Sequence, residues 1–146
     1  MIVVDASIAV DWYTDPTAAV PNAAFYEAIV SGAAVPGNFH GEAVQALLRA
    51  VRTGRMREVE MEANVADLDG LEFEVEFPPL GMVAHIAQKH ELSAYDAAYI
   101  AVAKFRGIKL ITRDAKLAKA AKAEGCLWTP PPPEEVEKKF SLLLAG

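Results

Sequence analysis

The hydrophobic positions change their period several times along the chain, and each change marks a boundary between a strand and a helix. Ile2-Val3-Val4 is a short β-branched run, which predicts a buried strand ended by Asp5. Residues 7–12 can make a helical turn, and Pro16 starts a new segment. Residues 18–30 predict a helix with Pro21 near its start and Gly32 as its stop. Ala33-Ala34-Val35 is a second, weaker strand, broken by Pro36-Gly37. Over residues 39–51, Phe39, Ala43, Leu47 and Ala50 recur at helical spacing, with Val44 and Leu48 beside them. Thr53-Gly54 ends that helix, and residues 56–68 predict another with charge along one side. The alternation Phe73-Glu74-Val75-Glu76-Phe77 predicts an exposed or edge strand, and Pro79 opens a helix running to about Glu91.

The stretch 92–114 is the most regular part. Ser93 is placed as a helix N-cap with Asp96 inside the first turn, 97–105 is strongly helical, and Gly107 suits the left-handed residue that ends a helix. Residues 108–112 then predict a short buried strand, with Asp114 just past its end. An alanine-rich helix follows over 115–124, closed by Gly125, and Cys126-Leu127-Trp128 is expected as a last strand. The prolines of 130–133 predict a stiff spacer, and Val136, Phe140, Leu143 and Leu144 space one apolar face on a short tail helix. Strands alternating with helices imply an α/β fold: a mainly parallel sheet between helix layers. The expected organisation is one domain over residues 1–128, then a proline-rich spacer and a tail helix (129–146) packed on the domain or on a partner.

Composition narrows the class. A chain of 146 residues that is 53% hydrophobic suits one domain with a full core. Its single cysteine, Cys126, excludes an internal disulfide and fits a reducing compartment. The N-terminal run carries Asp5 and Asp11 and no basic residue before them, unlike a secretory signal. No apolar run reaches the ~18 residues of a membrane span. A cytoplasmic protein is therefore expected. The net charge of −6 and pI near 5.0 argue against a protein that coats DNA non-specifically.

Four acids stand where this topology can gather them. Asp5 and Asp114 each follow a β-rich run, so neighbouring parallel strands would set them side by side, where ligands bind in such sheets. Asp96 opens the helix feeding the Asp114 strand, and Glu42 lies early in the helix after the second strand. Each has a plainer role available: Asp5 and Asp114 as N-caps, Asp96 with Ser93 as a capping pair, Glu42 as a solvated helix residue. Together they would repel, and a divalent cation with oxygen preference, such as Mg²⁺, resolves that repulsion and suits phosphodiester hydrolysis. Other chemistries lack their parts. His40-x-Glu42 has no partner Pro-Cys-x-x-Cys, the three histidines are scattered, and neither a phosphate-cradling G-x-x-x-x-G-K-[ST] nor a G-x-S-x-G elbow occurs.

The segments VVDAS at 3–7, the helix bearing Glu42, and LSAYDAAYIAVAKFRGIKLITRD at 92–114 resemble a PIN domain, specifically a VapC-type toxin ribonuclease, over residues 2 to about 128. The resemblance implies a three-layer α/β/α fold and a Mg²⁺ or Mn²⁺ site formed by Asp5, Glu42, Asp96 and Asp114 that hydrolyses RNA. It implies that the hydroxyls of Ser7 and Thr112 support that site. It further implies a homodimer, with residues 18–30 or 56–68 as contact surfaces, and inhibition by a VapB-type antitoxin. Gln45 departs from the pattern, since many relatives carry Asn three residues after the glutamate, and the segment after Trp128 is not diagnostic. RNA phosphates need cations, and Arg113, Arg49 and Lys116 are the nearest in sequence, with Arg52 and Arg55 as solvated-face residues. The leading expectation is a metal-dependent endoribonuclease toxin. The alternative is a catalytically silent PIN-like module that only binds a partner protein, which the intact acid set disfavours. A phosphoryl-acceptor receiver domain ranks lower, because paired acids after the first strand and a lysine after the last are absent.

Overall fold

The computed structural model describes residues 1–15, 17, 19–130 and 133–145. Pro16, the Ala18 end of the second expected helix and the middle of the proline spacer thus lie outside the described residues. In chain order the elements are β1 (Ile2–Val4), α1 (Ala6–Thr14), α2 (Ala19–Ser31), β2 (Ala33–Pro36), α3 (Phe39–Arg52), α4 (Glu58–Asp69), β3 (Glu74–Glu76), α5 (Leu80–His90), α6 (Ala94–Arg106), β4 (Lys109–Ile111), α7 (Ala115–Ala123) and α8 (Pro133–Ala145).

The sheet order is β3-β2-β1-β4, and every pairing is parallel. Helices pack on it in a three-layer α/β/α arrangement, α2 against β1 and β2, and α6 against β1, β2 and β4. The strands are short but dry. Val3, Val4, Ala34, Val35 and Leu110 are fully buried, and each large side chain among them contributes about 1.5–3 kcal/mol of transfer free energy. Ala33-Ala34-Val35, weak by propensity, is an interior strand buried along its whole length, because packing on both faces outweighs the low β preference of alanine. The Phe73–Phe77 alternation is, as expected, the sheet edge.

α6 is the central helix. Ala97 to Ala103 are all buried, which a helix shows only when it is enclosed on every side, and its alanines allow close approach to the strands. Ser93 caps it, its hydroxyl accepting from the Asp96 N–H at 3.1 Å, and Gly107 ends it at φ +68°, where a Cβ would be strained. On α3 the apolar face is the one expected: Phe39, Ala43, Leu47 and Ala50 are all fully buried. Leu47 and Ala50 join Val10 and Met56 in a smaller core beneath α1 and α4. Trp12 stacks on Phe25 at 4.6 Å, so that aromatic is a packing residue.

Three expectations need correction. The turn expected at 7–12 is a full helix, α1, because the Asp5 carboxylate caps it. Cys126-Leu127-Trp128 makes only a single parallel bridge, Leu127 to Leu110, with two backbone bonds (Leu110 N to Cys126 O, 2.7 Å; Trp128 N to Leu110 O, 2.8 Å). Pro130 follows and has no N–H to extend a ladder. The proline spacer also ends earlier than expected, since Pro133 is the first residue of α8, a position proline suits. The packing of Val136, Phe140 and Leu143 lies outside the described side chains. Among the described residues no helix is long and apolar enough to cross a membrane.

Candidate active site

β1 and β4 run side by side although the chain visits them first and last, so the strand order reverses between them. That is where an open parallel sheet leaves a crevice at its carboxyl ends. Asp5 leaves β1 at this point, its backbone N–H donating to the Ile111 carbonyl at 3.3 Å. Asp114 follows β4 and caps α7, accepting from the Leu117 N–H at 2.9 Å. Asp96 enters from the first turn of α6, and Glu42 from the first turn of α3. All four line one cavity of about 320 Å³, together with Ser7, Gln45, Arg49 and Tyr99.

Asp5 is 5% exposed and is held by three donors. Ser7 Oγ donates to Oδ1 at 2.6 Å, the Ile8 N–H to Oδ1 at 3.3 Å, and Thr112 Oγ1 to Oδ2 at 2.5 Å. Both hydroxyls are anchored in turn: Ser7 Oγ accepts from the Arg113 N–H at 3.1 Å, and Thr112 Oγ1 from the Asp114 N–H at 3.0 Å. Asp5 thus ties the ends of β1 and β4 together. A carboxylate offers about four acceptor positions, so one remains on Oδ2 for a further ligand. Burial pushes the Asp5 pKa from the ordinary 3.8 up to about 6, against the pull of these hydrogen bonds, and Asp114 adds to the rise. Asp96 is raised as well, first by burial and then by Asp114, while Ser93 and Lys116 oppose the shift. The acids therefore act on one another across the cavity.

Glu42 has two donors that the sequence did not single out. Tyr99 Oη donates to Oε2 at 3.0 Å, and Asn38 Nδ2 donates to the same oxygen. Asn38 Nδ2 also reaches the Tyr95 carbonyl at 3.3 Å, linking the start of α3 to the start of α6. Tyr99 is 1% exposed, and burial followed by the Glu42 charge and hydrogen bond pushes its hydroxyl pKa up, so it stays a donor. Its place in a helix core is what a sequence shows. Its hydroxyl, one turn after Asp96, was the available signal.

The cations expected to meet RNA are placed differently from one another. Arg49 lines the cavity. Arg113 pairs through Nε with Asp11 Oδ2 at 3.2 Å and is not part of the cavity lining. Lys116 donates to the Glu91 carbonyl at 2.6 Å and lines a neighbouring cleft. Arg52 and Arg55 are exposed, away from the cavity lining.

The donors around the cavity fit a hard divalent cation. They are carboxylate oxygens, and among the described residues no lysine or arginine forms an ion pair with Asp5, Glu42, Asp96 or Asp114. No three acidic, histidine or cysteine side chains among the described residues converge on the spacing of a closed metal centre. An ion held by one or two direct carboxylates, with waters filling its other positions, suits such an open set. His40, His85 and His90 take no part in the lining; His90 instead contacts Glu124 at 2.7 Å.

Comparison with known proteins gives three results. A family model described as PIN domain matches residues 2–123. No curated protein matches the chain. Among solved structures, PAE2754 from Pyrobaculum aerophilum superposes with a TM-score of 0.64 at 27% identity, covering 82% of this chain and 78% of that one. VapC20 from Mycobacterium tuberculosis, described as a toxin cleaving the sarcin-ricin loop, gives 0.59 at 18% identity over 90% and 100% of the two chains. FitAcB from Neisseria gonorrhoeae gives 0.56 at 19% identity over 84% and 94%.

Proposed function

Because the chain belongs to the PIN-domain family, we propose that it is a VapC-type toxin, an endoribonuclease that hydrolyses RNA phosphodiester bonds with Mg²⁺ or Mn²⁺. The observation that carries the proposal is the convergence of Asp5, Glu42, Asp96 and Asp114 on one cavity at the carboxyl end of the sheet. VapC20, similar in fold, is by its description a toxin that cleaves the sarcin-ricin loop.

Asp5, Asp96 and Asp114 would hold the ion, with Glu42 direct or through water. A divalent cation bound there supplies positive charge against the phosphodiester and the carboxylates, and Lewis acidity toward the attacking water. The chain's own contribution is positioning. Ser7 and Thr112 fix both oxygens of Asp5, so its remaining acceptor position has one direction. Tyr99 and Asn38 load Oε2 of Glu42, which directs further interaction to Oε1. Arg49, which lines the cavity, would meet a substrate phosphate. A VapB-type antitoxin and a second copy of the chain complete the proposed set of partners.

The test is cleavage of total bacterial RNA by the purified protein with Mg²⁺, with Mn²⁺ and with chelator, beside Asp96→Asn. Metal-dependent cuts at defined positions that vanish in the variant support the proposal. Cuts that persist in Asp96→Asn, or with chelator, overturn it.

A further inference from the structure

A second cleft, of about 420 Å³, lies between the C-terminal end of α5 and one face of α7, and its Lys116 stands two residues after Asp114 of the acid cavity. Its walls carry Lys89, Lys116 and Lys119 beside His90, three ammonium groups gathered in a chain whose net charge is −6. The acids near it are Glu91, whose carbonyl accepts from Lys116, and Glu124. Glu124 is already crowded: Lys89 at 2.9 Å, His90 at 2.7 Å and Lys104 at 2.5 Å all converge on its carboxylate. One negative charge therefore faces two ammonium groups and an imidazole. Among the described residues neither Lys116, which donates to a neutral carbonyl, nor Lys119, which is exposed, forms an ion pair. The cleft keeps a positive excess that no ion pair among the described residues neutralises.

Its position gives that excess a purpose. Lys116 lies two residues after Asp114 in the first turn of α7, and its charge is felt at Asp96. Lys119 is the next residue along the same face. From Lys116 to Ala123 the helix rises about 10 Å, enough for two or three phosphates of a stacked single strand. We propose that this cleft is a phosphate track, taking the backbone of the single-stranded RNA segment that flanks the bond cut at the acid cavity. The proposal rests on the nuclease function given above. The acids provide the place of reaction, and the cleft is the adjacent surface where a polyanion meets cations rather than carboxylates.

The experiment measures binding of a short fluorescein-labelled oligouridylate by anisotropy, in chelator and across a salt series. Wild type, Lys119→Gln, Lys89→Gln/Lys119→Gln and Lys89→Arg/Lys119→Arg are compared. Lys119→Gln alters an exposed residue without disturbing Glu124, so it folds even if the double variant is weakened. The expected result is a loss of affinity of about tenfold for the double Gln variant, with the slope of log K against log salt shallower by about 0.7 for each phosphate contact removed. The arginine pair keeps both. An unchanged slope in both Gln variants overturns the proposal, as does failure of the wild type to bind the oligonucleotide. Binding of a poly-glutamate peptide that depends on Lys119, with RNA binding unaffected, overturns it in favour of an acidic protein segment. Cleavage plays no part in these readouts, so failure of the nuclease function appears only in the separate Asp96→Asn assay.

Discussion

Replacing Asp5 with Asn should make the protein more stable and inactive at the same time. The Asp5 carboxyl is 5% exposed, and burial moves its pKa from 3.8 to about 6. The folded chain thus holds this proton more tightly than the unfolded chain does. Stability then falls as pH rises from about 4 to about 6, the reverse of a salt-bridged aspartate. A shift of about two units at 1.36 kcal/mol each makes the ionised carboxylate cost the fold ~3 kcal/mol at neutral pH. Asn keeps the shape and removes the charge. Its carbonyl still accepts from Ser7 and the Ile8 N–H, but its amide replaces the acceptor facing Thr112 with a donor. Thr112 Oγ1 must then turn its proton elsewhere, at a cost of ~1 kcal/mol. The net expectation is ~2 kcal/mol of added stability near neutral pH, or a Tm higher by ~4–8 °C. Near pH 4 the gain disappears. The assay is thermal unfolding by circular dichroism at both pH values in chelator, beside RNA cleavage with metal. An Asp5→Asn protein that melts no higher than wild type near neutral pH would refute the electrostatic account of Asp5.

Thr112→Val removes the donor to Asp5 and the acceptor of the Asp114 N–H together, so RNA cleavage should fall at least ~10-fold and stability by ~1–3 kcal/mol. With that donor gone the Asp5 pKa rises further, and the acidic limb of the pH–rate profile should move to higher pH. Tyr99→Phe takes one of two donors from Glu42 and leaves a buried ring in place. It should cost ~1 kcal/mol in urea unfolding and lower kcat more than it raises KM. Glu124, held at a pKa of about 2 by Lys104, His90 and Lys89, contributes stability that is present above its ordinary 4.5 and lost as pH falls toward 2. Glu124→Gln should therefore cost ~1–2 kcal/mol near neutral pH, allowing for its exposed ammonium partners, with the gap from wild type closing in acid.

The parts of this protein legible from sequence are those where a local rule and the tertiary fold agree. Ser93, Asp96 and Gly107 bound α6 because capping chemistry and the buried run between them point the same way. The Phe39, Ala43, Leu47, Ala50 face of α3 follows from helical periodicity alone. What local pattern could not show were contacts across the chain. Asn38 and Tyr99 meet at Glu42 from positions 57 residues apart in the case of Tyr99, and nothing about a tyrosine inside an apolar helix reveals the partner of its hydroxyl. Arg113 sits beside Asp114 in sequence, yet its guanidinium is directed to Asp11 on α1. Strand propensity in Cys126-Leu127-Trp128 was overruled by the proline that follows.

The hydrogen bond between Asp5 and Thr112 joins residues 107 positions apart, and this sets when the cavity can come into being. A ribosome that has released Asp5 must add another 107 residues before Thr112 emerges, with Asp114 close behind. At roughly 5–20 residues per second that interval is on the order of ten seconds. Throughout it the chain has the floor of the cavity without the wall opposite. A protein proposed to cut RNA thus gains its complete acid set only when Asp114, the last of the four in chain order, leaves the ribosome.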